Sequence, residues 1–87
     1  MGKIISDEID GHTQVVLTNH CLERMRDRGV SQQEVIKALR KPTKSLPAFD
    51  GKLNVRKNRT DTEFVDVVYC SEGKSLVVVT VIVVRKK

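Results

Sequence analysis

Thr18-Asn19-His20-Cys21-Leu22-Glu23-Arg24-Met25-Arg26-Asp27-Arg28-Gly29 runs directly into Val30-Ser31-Gln32-Gln33-Glu34-Val35-Ile36-Lys37-Ala38-Leu39-Arg40-Lys41-Pro42. Together the two segments read as a helical hairpin. Thr18 suits an N-cap, because its hydroxyl accepts from an amide that the first helical turn leaves unpaired. Gly29 suits the left-handed residue that closes a helix. Ser31 and Glu34 have the spacing of a capping box, and Val30 and Val35 occupy the two positions of a hydrophobic staple. Val35, Ile36 and Leu39 then face a core, and Pro42 ends the second helix near Arg40.

On either side of this hairpin the pattern is that of strands. Upstream, Ile4-Ile5 and Val15-Val16-Leu17 are two apolar patches separated by Asp10-Gly11, a dipeptide favoured in tight turns. The second patch reads as a strand; the first is either its hairpin partner or irregular chain. Downstream, strands are expected near Lys44–Phe49, Lys52–Lys57, Glu63–Cys70 and Ser75–Val84. Asp50-Gly51 and Ser71-Glu72-Gly73-Lys74 join neighbours as tight turns, which predicts an antiparallel meander packed on the helices. Pro47 confines the first of these strands to an edge or an irregular piece. Strict alternation in the last strand places Leu76, Val78, Ile82 and Val84 on one side and Val77, Val79, Val81 and Val83 on the other. One helical hairpin covers a single face, so either the sheet curls or another subunit covers the remainder. Lys74 and Arg85-Lys86-Lys87 flank this run as charged gatekeepers.

The fold class is therefore α+β, and 87 residues leave room for one domain over 1–87 with a small core. Lys and Arg number 16 against 11 Asp and Glu, a formal net charge of +5 that favours a polyanionic partner. Aromatic residues make up only 3%, which argues against a stacking platform for single strands. Cys21 and Cys70 are too few and too far apart for a disulfide scaffold or a paired metal-ligand spacing. No set of residues has the spacing of a metal or cofactor site, and His12, His20 and the cysteines match no common ligand set. The run from Leu76 to Val84, broken by Thr80, falls well short of the roughly 20 residues that span a bilayer, and the chain opens on no signal sequence. The expected setting is cytoplasmic, with no membrane partner.

His20, Arg24 and Arg28 recur every fourth residue, so on a helix of about 100° per residue they drift only about 80° around the axis. They form one stripe that is either an anion-binding edge or the polar border of an amphipathic helix. His20 reads as a proton carrier, kept neutral by the helix start and the nearby arginines, or as a partly buried imidazole bonded to backbone. Arg24 reads as an anion ligand or as a charge balanced by Asp27 three residues on. Arg28 falls beside Cys21 on the helical wheel, near the buried side, so its expected role is structural, with a packed stem and the guanidinium reaching a carbonyl or carboxylate. Thr80 interrupts an apolar strand. Arg56, Lys57 and Arg59 form a basic cluster that is either a solvated face or the lining of an RNA groove. Cys21 and Cys70 read as core residues.

The run from His20 to Ser31, followed by Glu34-Val35 and a helix ending at Pro42, resembles the opening of the small bacterial family called domain of unknown function 4258. Val78-Val79-Thr80-Val81 resembles that family's closing strand, so the resemblance brackets roughly Val15 to Arg85. It implies the α+β fold of RelE-like toxins and related ribonucleases of the barnase/colicin/RelE type, with helices near the N-terminus packed on an antiparallel sheet. It also draws attention to His20, Arg24 and Arg28, to Thr80, and to Arg56 as a basic position on a middle strand.

Two functions are expected on these grounds. The first is an RNA-directed protein: a metal-independent ribonuclease or a toxin-like binder of RNA or the ribosome, as in toxin–antitoxin systems. His20, Arg24 and Thr80 would then stand at the catalytic position, His20 as general base taking the 2′-hydroxyl proton. Arg24 and Arg56 would hold phosphate, and Lys57 and Arg59 would bind the strand. Enzymatic status stays open because a second proton carrier is missing: His12 sits in a turn and Tyr69 is the single tyrosine. The second function is a non-catalytic interaction module that dimerises, or pairs with a cognate protein, through its apolar sheet.

Overall fold

A computed structural model of the chain describes residues 2–9, 11–47 and 50–85. Asp10, Phe49, Lys86 and Lys87, used in the sequence reading, lie outside the described residues. The elements in chain order are β1 (Lys3–Ile9), β2 (His12–Leu17), α1 (Asn19–Arg28), α2 (Gln32–Arg40), β3 (Lys44–Leu46), β4 (Leu53–Asn58), β5 (Glu63–Glu72) and β6 (Ser75–Arg85). The architecture is α+β: two helices lie on a mixed sheet of strand order β1-β2-β6-β5-β4-β3.

Both helix boundaries follow from side chains within a few residues. Thr18 accepts from the Cys21 amide at 3.1 Å and caps α1. At the other end the Val30 amide donates to the Met25 carbonyl at 2.8 Å and the Gly29 amide to Arg26 at 3.4 Å, a Schellman closure around a left-handed Gly29 at φ 66°. Ser31 Oγ accepts from Glu34 N at 3.2 Å while Glu34 Oε1 accepts from Ser31 N at 3.4 Å, completing the capping box of α2. Val30 and Val35 of the staple are both buried.

The first apolar patch is a strand: β1 pairs antiparallel with β2. Strands β3 to β6 form the expected antiparallel meander. The two halves are joined by a parallel pairing of β2 with β6, Val15 opposite Leu76 and Leu17 opposite Val78. No local signal announces this pairing, because its partners are separated by both helices and three strands.

The faces of β6 differ from strict alternation. Val68 of β5 pairs with Thr80, but Tyr69 pairs with Val78, so Val79 is the extra residue of a bulge. One added residue switches every later side chain to the opposite face. Leu76, Val78 and Val81 are accordingly buried, with the half-buried Val83 packed on the same core, while Ile82 is 46% exposed. The bulge is tied to the helix start. Thr18 Oγ1 lies 3.1 Å from the carbonyls of both Val78 and Val79, and the Thr18 amide donates to Val78 at 3.3 Å.

The core forms between the helices and this one face. Cys21 and Met25 of α1 and Val35, Ala38 and Leu39 of α2 pack with Val15, Leu17, Val55, Val65, Val67, Leu76, Val78 and Val81 of the sheet. Arg40 at the end of α2 pairs with Asp7 of β1, which ties the helix layer to the first hairpin. No helix among the described residues is long and apolar enough to cross a membrane.

Candidate functional site

The polar groups singled out in the sequence fall into three places. His20, Arg24 and Arg28 remain together on α1, all three exposed. None of their side chains makes a hydrogen bond or ion pair among the described residues. The buried alternative for His20 is thereby removed, and Asp27 does not pair with Arg24. Arg28 corrects an expectation: it is exposed rather than packed against the buried side. Arg28 is the last residue of α1, and at this end of the helix it is Val30, just past Gly29, that is buried.

Strand β4 divides the basic cluster. Val55 is buried against the helices, so the alternating neighbours Arg56 and Lys57 point to opposite faces. On the covered side, Lys57 Nζ donates to the Lys41 carbonyl at 2.8 Å, at the C-terminus of α2. Arg59, just past the strand, donates to the Arg28 and Gly29 carbonyls at the C-terminus of α1, and its Nε lies 2.9 Å from Glu34 Oε2. Each of these cations satisfies orphan carbonyls at a helix end, where positive charge is favoured. A cleft of about 470 Å³ opens between Lys37, Lys57, Arg59 and Thr60, and a second of about 430 Å³ between Arg28, Arg59, Glu63 and Arg85.

On the open side of the sheet Arg56 forms a bidentate pair with Asp66, Nε to Oδ1 at 2.7 Å and Nη2 to Oδ2 at 2.9 Å. Its guanidinium stands 4.9 Å from the centre of the Phe64 ring, within cation–π range. Hydrogen bonding to Asp66 pushes the Arg56 pKa up, so this residue stays charged. Asp66 is only 5% exposed. Sequence reasoning missed it, although an acidic residue inside Phe64-Val65-Asp66-Val67-Val68 is the kind of interruption that demands a partner. Thr80 is on this same open face, opposite Val68.

The sheet therefore separates the expected participants. His20 and Arg24 are on the helix layer, whereas Arg56 and Thr80 are on the far face. The two further proton carriers weighed in the sequence lie elsewhere. Tyr69 is half-buried against the core. His12 Nδ1 donates to the Ile9 carbonyl at 3.1 Å, which leaves Nε2 to accept from Ser71 Oγ at 2.7 Å and fastens the first hairpin to the β5–β6 turn. Cys21 is fully buried, and burial pushes its thiol up to about 11, so it is no nucleophile near neutral pH.

Chemically, the α1 stripe offers two unneutralised guanidiniums and one open imidazole, a set that binds phosphate oxygens and can exchange one proton. The open face offers Arg56, neutralised by Asp66, beside an apolar floor, with Lys44 on the outermost strand. No curated protein and no solved structure matches the chain. The model of the family described as Domain of unknown function (DUF4258) matches residues 17–86, from the end of β2 past the end of β6, and the chain belongs to that family.

Proposed function

We propose that this protein is an RNA-directed member of its family, of the RelE-like type, and that it engages the phosphate backbone through α1. The observation that carries this reading is the exposed ladder His20, Arg24 and Arg28, left without intramolecular partners among the described residues in a chain of net charge +5. A helix edge bearing unneutralised arginines gains from phosphate what a paired arginine already draws from its carboxylate. Helices that precede an antiparallel run and pack on one face of it support the RelE-like assignment. Binding, to RNA alone or to ribosomal RNA, is the activity the helix edge serves directly. Cleavage at the same edge assigns His20 to the 2′-hydroxyl proton and needs a second proton carrier; Arg56, expected to hold phosphate, and Thr80 stand on the far face of the sheet.

Fluorescence anisotropy with a labelled single-stranded RNA tests the reading. Binding is expected at low salt, falling steeply as salt rises, and Arg24→Glu is expected to weaken it about tenfold or more while shortening the salt slope. Absence of binding at low salt, or an Arg24→Glu variant that binds like wild type, ends the proposal. Incubation with RNA in the presence of a chelator separates the two forms of it. Cleavage lost in His20→Ala with binding retained identifies a nuclease, and intact RNA with firm binding identifies a binder.

A further inference from the structure

The face of the sheet turned away from the helices is covered by no described element. Across its centre lie Val77, Ile82 and Val84 of β6 beside Cys70, Val68 and Phe64 of β5, with Val16 continuing the apolar surface onto β2. Ile82 is 46% exposed and Ile4, at the β1 edge, 61%. Six strands about 4.8 Å apart and about six residues of about 3.3 Å each give a footprint of roughly 600 Å² before side-chain relief is counted. That is the size class of the roughly 800 Å² of accessible surface that each partner of a stable complex buries.

Charge selects the occupant. The cations of this protein are concentrated on the helix layer and the clefts beside it: Arg24, Arg26, Arg28, Lys37 and Lys41. The open face is close to neutral, because Asp66 cancels Arg56 at 2.7 Å and the remaining cation, Lys44, sits on the outermost strand β3. An acidic protein or peptide is drawn to the helix layer, and RNA finds a single unneutralised cation on the sheet. Between two copies of a chain of charge +5, contact across this face brings the fewest like charges together.

We infer that the open sheet face is a self-association surface, on which a second copy of the chain packs sheet to sheet about a two-fold axis. Aliphatic rows from β5 and β6 form the buried centre, as in an aligned β-sandwich. Polar Asn54, Asn58 and Lys44 on β3 and β4 form the rim, the distribution found in stable interfaces. The Arg56–Asp66 pair then carries an arginine into a desolvated surface with its charge already matched. Each dimer presents two α1 edges on its outer sides.

Sedimentation velocity on the full chain, from low micromolar to a few hundred micromolar, tests the inference. A species of twice the 9.8 kDa chain mass is expected to grow with concentration. Ile82→Lys is expected to weaken the association about tenfold or more, since a lysine at the centre of an apolar interface must be desolvated beside Asp66, whose two oxygens Arg56 already occupies. Lys37→Glu, on the helix layer, is expected to leave it unchanged. A monomer throughout the range, or Ile82→Lys associating like wild type, or Lys37→Glu abolishing association, overturns the inference. Maleimide labelling of the wild-type protein gives a check that needs no variant. The half-buried Cys70 lies on this face and must label more slowly as concentration rises, with buried Cys21 silent. A Cys70 rate independent of concentration refutes the dimer even if Ile82→Lys fails to fold. RNA binding is judged by Arg24→Glu and self-association by Ile82→Lys, so either can fail alone.

Discussion

The two faces of the sheet are built from the same aliphatic residues, yet their polar groups have opposite destinations. On the covered face Lys57 and Arg59 reach backbone carbonyls at the ends of α2 and α1. On the open face Arg56 has no helix end to serve, and Asp66, a carboxylate from the adjacent strand, takes up its charge. Similar cations within three residues of one another in sequence thus become fold fasteners on one side and a self-contained ion pair on the other. Charge left over for a partner is concentrated on α1, where no described neighbour pairs with the ladder.

The most severe way to break this comparison is to remove volume from the covered face. Leu17→Ala, at a fully buried position, is expected to cost about 2–5 kcal/mol in urea denaturation, whereas Ile82→Ala on the open face should cost under about 1 kcal/mol in the monomer. Equal losses would mean that the open face is packed after all. The next effect is electrostatic. Asp66→Ala strands a half-buried Arg56 and is expected to cost about 2–3 kcal/mol, less than a fully buried pair because Arg56 retains some solvent. Recovery of most of that loss in the double variant Asp66→Ala/Arg56→Met would locate the cost in the unpaired charge.

A pH effect of similar or smaller size comes from Cys21. Its thiol is raised from 9.0 to about 11 by burial, so between those values the folded state holds a proton that the unfolded state has released. Stability therefore falls as pH rises through that window, by at most roughly 2–3 kcal/mol. Denaturation of wild type and Cys21→Ala at pH 8 and at pH 11 should show the advantage of the wild type shrinking at the higher pH. Thr18→Ala follows, with an expected loss of about 1–2 kcal/mol, since the hydroxyl both caps α1 and reaches the β6 bulge. Smallest of all, Arg24→Ala should alter stability by less than about 0.5 kcal/mol, because the exposed side chain has no partner among the described residues; a larger loss would assign it a structural one.

Legibility in the sequence tracked the range of the interactions. Gly29, Ser31 and Glu34 act on amides within three to five residues, and both helix ends stand where those residues place them. The meander was equally readable because Asp50-Gly51 and Ser71-Glu72-Gly73-Lys74 are local turns. The α1 ladder was visible as a spacing, and its exposure was one of two readings left open. Arg28 has the angular position read for it, but it is the last residue of α1 and is exposed, while Val30 beyond the cap is buried, which a helical wheel does not show. Asp66 went unnoticed because its partner becomes a neighbour only once β4 and β5 are in register.

By itself the sequence determined the α+β class, the capped helical hairpin and the surplus of cations, since each depends on periodicity, local hydrogen bonds or a sum over residues. Tertiary structure decided the rest. Parallel pairing of β2 with β6 joins residues some sixty positions apart, which no local preference encodes. The Val79 bulge, held by Thr18, exchanges the faces of Val81 and Ile82 and so determines which valines are core and which form the uncovered surface. Because side chains alternate across a strand, that same pleat divides Arg56 from Lys57 and places the sheet between Thr80 and His20. Proximity in the chain is set by covalent bonds, but membership of one site is set by which side of a sheet a residue faces.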